Sequence, residues 1–185
     1  VKAHFDVPVS IDTYKGNVAE AALQAGADLV NDIWGFKFDK KTALMTAKYN
    51  AACCLMHNKD EAVYNDFLED MVSEMAECVK IAREAGVVDD KIMLDPGVGF
   101  GKTYEMNLAA INHVDVLHRL GFPILLGTSR KSVIGNTLNL PADQRVEGTL
   151  ATTVIGVMKN CAFVRVHDIK ENKRIIQMTK AILAH

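Results

Sequence analysis

Ile92-Met93-Leu94-Asp95-Pro96-Gly97-Val98-Gly99-Phe100-Gly101-Lys102-Thr103 is the stretch whose reading decides the fold. Three apolar residues, too few for a helix, run into an acid, a Pro-Gly turn and a glycine-spaced loop, and a helical pattern opens at Tyr104. A strand that passes through a polar loop into a helix is one βα unit. The same succession recurs in both directions along the chain. Candidate strands are 7–11, 28–31, 51–56, 92–94, 123–126 and 162–165, each rich in branched apolar residues.

Helical periods separate the strands. Leu68, Met71, Val72, Met75, Val79 and Ala82 fall at i, i+3, i+4, i+7 spacing, with Glu69, Asp70, Glu74, Glu77 and Lys80 between them. This predicts an amphipathic surface helix ended at Ala85-Gly86, where glycine can take the left-handed conformation. The last helix is expected to start at Asp168 as N-cap with Glu171 three residues on, and to turn Ile175, Ile176, Thr179, Ile182 and Leu183 inward. Further helices are read at 15–25, about 41–50, 104–120 and 143–160. The fold class expected is α/β, repeated βα units around a parallel sheet, in one domain over 1–185.

Composition narrows the function. Of 185 residues 49% are apolar and 24% charged, enough for a full core, and the net charge of −2 gives no general attraction to nucleic acid or anionic membranes. The longest apolar runs are a few residues, such as Ile124-Leu125-Leu126, against about 20 for a membrane helix. Cys53, Cys54, Cys78 and Cys161 have neither C-x-x-C nor zinc-ligand spacing, and read as reduced thiols of a soluble cytoplasmic protein. No leader pattern precedes the first strand.

Polar residues gather where strands end. The six exits carry Asp12-Thr13, Asn31-Asp32, Met56-His57-Asn58, Asp95 with its glycine loop, Gly127-Thr128-Ser129-Arg130-Lys131-Ser132, and Arg165-Val166-His167-Asp168. Strand C-termini share one face in parallel α/β folds, so six clusters converge on one mouth. Each residue also has a plainer use: Asp12 and Asp168 suit helix caps, Asp95 suits a turn, Arg130 and Lys131 suit surface ion pairs, and His57 alone suits a partly exposed loop. The clustering at exits, with none at strand entries, is what turn chemistry does not explain.

The glycine loop ends like a phosphate-binding loop but is not one. That motif needs four residues between its first glycine and the Gly-Lys pair, and Gly97 leaves three. Its glycines instead bring backbone close to a planar ligand, with Phe100 to pack beside it. Arg165 and His167 alternate along an extended segment and point the same way, and with Lys131 they suit a phosphate or pyrophosphate. A buried Asp95 with the Asn31 amide matches the donor edge of an aminopyrimidinone such as a pterin or guanine. The mouth therefore has a heterocycle end and an anion end.

Asp-Pro-Gly-Val-Gly-Phe-Gly-Lys at 95–102, Gly-Thr-Ser-Arg-Lys-Ser at 127–132 and Arg-Val-His-Asp at 165–168 closely resemble the motifs of bacterial dihydropteroate synthases. Val9-Ser10-Ile11-Asp12-Thr13 and Val30-Asn31-Asp32 fit the same family's third and fourth strand ends. The resemblance implies a (β/α)8 barrel of TIM type that condenses 4-aminobenzoate with a dihydropterin methyl diphosphate in folate biosynthesis, a sulfonamide target. It implies that Asp12, Asn31, Asp95 and Lys131 hold the pterin, with Met56, Phe100 and Gly127 lining its pocket. Ser129 would lie near the aminobenzoate, Arg130 among the binding residues, and Arg165 and His167 on the diphosphate. Asp95, Lys131, Arg165 and His167 would carry the chemistry. It further implies Mg2+ as cofactor and a homodimer in the full-length protein.

By the resemblance the chain begins just before the family's third strand, so the first two βα units, with the first-strand asparagine associated with magnesium, are absent from it. About six units are expected here, as part of a longer barrel with two open sheet edges, and full synthase activity is not expected of this chain alone. The rival readings are a pterin-binding methyltransferase domain acting on methyl-tetrahydrofolate, which needs no diphosphate grip, and a non-catalytic pterin-binding remnant.

Overall fold

The computed structural model describes all residues, 1–185. β1 (Ser10–Asp12), β2 (Leu29–Asp32), β3 (Ala52–Met56) and β4 (Ile92–Asp95) form a parallel sheet in that order, and β5 (Leu125–Leu126) pairs in parallel with β6 (Phe163–Val164). A parallel bridge between Leu94 and Ile124 joins β4 to β5. Strands thus follow chain order around an arc, six units of a (β/α)8 barrel, with β1 and β6 at its two edges. All six predicted strands are present.

Register places the exits side by side. Asp12 lies opposite Asn31, Asn31 opposite Cys54, and Met56 opposite Asp95. β3 is buried over Cys53–Met56 because helices cover one side and the barrel interior the other, and its run of apolar residues follows from that.

α1 (Gly16–Gln24), α2 (Lys40–Lys48) and α3 (Phe67–Glu84) form where periodicity places them. Asp66 caps α3 by accepting from Leu68 and Glu69 N–H at 3.1 and 3.2 Å. Met71, Val72, Met75, Cys78, Val79 and Ala82 make its buried face, and Gly86 ends it at φ +95°. Asp39 caps α2 through Lys41 N–H at 2.9 Å and also accepts from Gly16 N–H at 2.7 Å, tying the starts of α1 and α2 together.

Four expectations change. The helix read at 104–120 is α4 (Tyr104–Asn112) followed by a 3-10 segment, Val114–Leu120. Asn, His, Asp and valine there are poor helix formers, and the tighter winding turns both Val114 and Leu117 inward at three-residue spacing. α5 (Ser132–Leu138) was not anticipated; it is seven residues with Gly135 at its centre, too short and too glycine-broken to show a period. α6 (Val146–Met158) starts later than 143, after a short 3-10 turn at Ala142–Gln144. α7 (Ile169–Leu183) starts as predicted, but Asp168 makes no side-chain cap, and Ile182 and Leu183 are 63% and 55% exposed. The line of α7 packed on α6 is Asn172 and Thr179, with Asn172 Oδ1 accepting from Thr153 at 2.6 Å.

The core is one cluster running from Ala19 to Ile134. Cys53 and Cys78 are buried in it as expected, with Cys161 packed partly buried against it; Cys54 is buried outside the cluster, and all four thiols are free. Burial pushes each of them above the ordinary thiol range, so they are poor nucleophiles.

Candidate active site

Asp95 closes β4 at 1% exposure. Its Oδ1 accepts from Gly97 N–H at 2.8 Å, so one oxygen does serve a turn. Its Oδ2 faces the mouth: a Cβ on Gly127 would stand 3.4 Å from it and 3.2 Å from Arg165 Nη2. Gly127 therefore keeps open the space in which a ligand would meet both groups. Burial raises the Asp95 carboxyl while Lys131, the Gly97 N–H and Arg165 pull against it. Burial likewise pushes Lys131 down to about 8 against the pull of Asp95. The Lys131 charge is felt by Asp95, Arg165 and Asp12, three strand ends brought together.

Lys131 Nζ crosses the glycine loop, donating to Val98 O and standing 4.9 Å from the centre of the Phe100 ring. Asn31 and Met56 are buried on neighbouring strands, while Asp12, Arg165 and His167 are exposed at the rim.

Gly127, Ser129, Lys131, Arg165, Val166 and His167 enclose a cavity of about 220 Å³. Arg165 and His167 open into it together, as their alternation predicts. Ser129 Oγ accepts from His167 N–H at 3.2 Å and lies 2.8 Å from His167 Nδ1. With the serine proton on Nδ1, the ring carries its own on Nε2, free to donate to an anion. Ser129 thus sits at the anion end. Arg130 instead turns to Asp168, donating Nη2 to Oδ1 at 2.6 Å and Nε to Oδ2 at 3.2 Å, which is the surface ion pair weighed above and the reason that Asp168 leaves its helix uncapped.

Other residues carry the site without touching it. Arg145 donates Nη1 to Arg130 O at 2.9 Å and Lys131 O at 3.3 Å, and Nε to Leu140 O at 2.9 Å, lying where only Gly135 leaves room. Asn107 Oδ1 accepts from Gly99 N–H at 2.5 Å. These contacts cross between elements, and no local pattern announces them. His57, expected at a loop surface, is fully buried between Lys102 and Glu74. A larger cleft of about 710 Å³ is bounded by Trp34 and Phe38 after β2 and by Asn58 and Val63 after β3.

The chain is part of a barrel with a buried acid and a cationic cavity at its strand exits, and the family of pterin binding enzymes matches it over residues 1–167. The chain belongs to that family. Within it the chain falls among the dihydropteroate synthases, the transferases of folate biosynthesis. It is 60% identical to dihydropteroate synthase of Clostridium beijerinckii over 99% of this chain and 68% of the relative, and 52% identical to that of Bacillus subtilis over 96% and 62%. A dihydropteroate synthase structure from Clostridium difficile, determined in the presence of pteroic acid, superposes with a TM-score of 0.96 at 48% identity over 98% of this chain and 69% of that one. A Yersinia pestis enzyme with a pterine-sulfa conjugate gives 0.93 at 35% identity, over 99% and 71%. The chain thus spans roughly two thirds of the length of these relatives.

Proposed function

We propose that this mouth binds the dihydropterin methyl diphosphate of dihydropteroate synthesis, pterin on the Asp95 side and diphosphate on the Arg165 side. The observation that carries the reading is that the buried Asp95 carboxylate and the Arg165 guanidinium both border the space beside Gly127, which a Cβ there would fill. Asp95, Asn31, Asp12 and Lys131 hold the pterin, Met56, Phe100 and Gly127 line its pocket, and Ser129 adjoins the aminobenzoate while holding His167. Arg165 and His167 grip the diphosphate.

The reaction breaks the bond from methylene carbon to diphosphate oxygen and forms one to the aminobenzoate nitrogen, which then releases its proton to solvent. As the C–O bond stretches, negative charge gathers on the leaving oxygen, where Arg165 and His167 Nε2–H donate. Positive charge spreads into the pterin ring, beside Asp95 and Asp12. Positioning and electrostatics suffice, and no protein nucleophile takes part.

Magnesium would enter as counter-ion of the diphosphate. No three His, Cys, Asp or Glu side chains of this chain gather at one point, so its residues do not by themselves fit such a site, and no step here runs through the ion. Residues 1–185 are read as one pterin-binding domain of a homodimeric, cytoplasmic enzyme. No helix is long and apolar enough to cross a membrane.

Calorimetry tests the reading. The chain should bind pterin diphosphate and not methyl-tetrahydrofolate, while steady-state synthesis is expected only from a protein of the relatives' full length. Arg165→Ala should weaken the diphosphate-bearing pterin at least about tenfold, and plain hydroxymethyl-dihydropterin far less. Equal losses for both ligands would remove the diphosphate from Arg165.

A further inference from the structure

The loop 97–101 carries Phe100 and follows directly on Asp95, yet most of what holds it lies behind the mouth. Lys102, whose Gly-Lys-Thr setting imitates the end of a phosphate loop, turns inward. Its Nζ donates to His57 Nδ1 at 2.9 Å, Gly97 O at 3.0 Å and Phe100 O at 2.9 Å, with His57 O at 3.5 Å. Three N–H groups meet three close acceptors, and none is left for a phosphate.

His57 is oriented in turn. Its Nε2 lies 3.0 Å from Glu74 Oε2 on α3, and Lys59 holds the other Glu74 oxygen at 2.7 Å. A carboxylate only accepts, so the neutral imidazole carries its proton on Nε2 toward Glu74 and offers its Nδ1 lone pair to Lys102. Burial, with Lys102, Lys37 and Lys59 nearby, pushes His57 down to about 2 and keeps the ring neutral. Burial also brings Lys102 down to about 7, with Asp95 and Glu74 pulling up and Lys131 and Lys37 adding to the fall.

The backbones of 57–59 and 97–101 touch along their length. At Gly97, φ +67°, a Cβ would stand 1.9 Å from His57 O, and at Gly101, φ +54°, it would stand 2.4 Å from Lys59 O. Tyr64 donates to Gly101 O at 2.7 Å. On the mouth side Lys131 grips Val98 O, and this is the lysine that must turn to the pterin.

We propose that Lys102, oriented by Glu74 through His57, is a positioning residue that holds loop 97–101, and with it Phe100 and Asp95, in place for the pterin while Lys131 is engaged by ligand. The proposal rests on the pterin site argued above. Lys102→Met removes the ammonium and keeps most of the stem. It should raise the Kd for hydroxymethyl-dihydropterin about tenfold and leave that for inorganic pyrophosphate, held by Arg165 and His167, unchanged. Hydrogen exchange without ligand should quicken at the Gly99 and Phe100 amides but not along α3.

Glu74→Gln, which still accepts from His57 but loses its charge, should show the same split at about threefold, and serves if Lys102→Met does not fold. Equal weakening of both ligands, or unchanged pterin binding and loop exchange in either folded variant, overturns the proposal. If the unaltered chain binds neither ligand, the pterin site itself fails; faster loop exchange in the variants would then still uphold the anchor, and unchanged exchange would overturn it.

Discussion

Asp32 ends β2 one residue beyond Asn31, with Oδ1 accepting from Trp34 N–H at 2.8 Å and Oδ2 buried without a partner. Burial, helped by the charges of Asp39 and Asp12, raises its carboxyl to about 6 against two backbone N–H groups. A raised carboxylate lowers stability wherever it must ionise: the penalty is absent below about pH 4, grows as pH rises to about 6, and is full above that. Asp32→Asn should therefore stabilise the protein at pH 7.5 by up to about 3 kcal/mol, about 6–12 °C in melting temperature, with little effect at pH 4. Thermal melts of both proteins across pH 4 to 8 check this, and a pH-independent difference would sink it. Sequence reading names Asp32 among the strand-exit residues, but burial of one oxygen without a donor is a property of packing.

Among elements, α3 shows how much a period reveals and α5 how little. The apolar spacing of α3 specifies its length, inner face and glycine stop, because eighteen residues sample the period several times. α5 has seven, and it exists where Arg145 at the threshold of α6 ties Arg130, Lys131 and Leu140 carbonyls together around Gly135. Arg130 needs this strap, since its backbone is left-handed at φ +58°. Arg145→Ala should cost about 2–3 kcal/mol, roughly 1 per lost hydrogen bond. Hydrogen exchange should quicken over 129–140 and pterin affinity should fall, as Lys131 loses its station; exchange confined to the first turn of α6 would contradict the strap.

At the scale of the molecule, six strands close only part of a circle. β1 and β6 each present an unpaired edge, and Phe163 on β6, with Ile182 and Leu183 at the end of α7, is about half exposed or more. Open parallel edges beside apolar side chains favour association. Sedimentation velocity of this chain should show mass rising with concentration, and Phe163→Lys with Ile182→Lys should suppress it without lowering the melting temperature; a concentration-independent monomer would refute the idea. The sequence by itself determined the βα repeat, the side of the sheet on which chemistry gathers, and the chemical character of its two ends, because periodicity and strand-exit position are local properties of the chain. Only the tertiary structure decided that one Asp95 oxygen serves a turn while the other faces Arg165, that Arg130 is spent on Asp168, and that Lys102 is an inward anchor. Those outcomes depend on which groups from distant segments arrive within 3 Å of one another, and that is settled by packing, not by spacing.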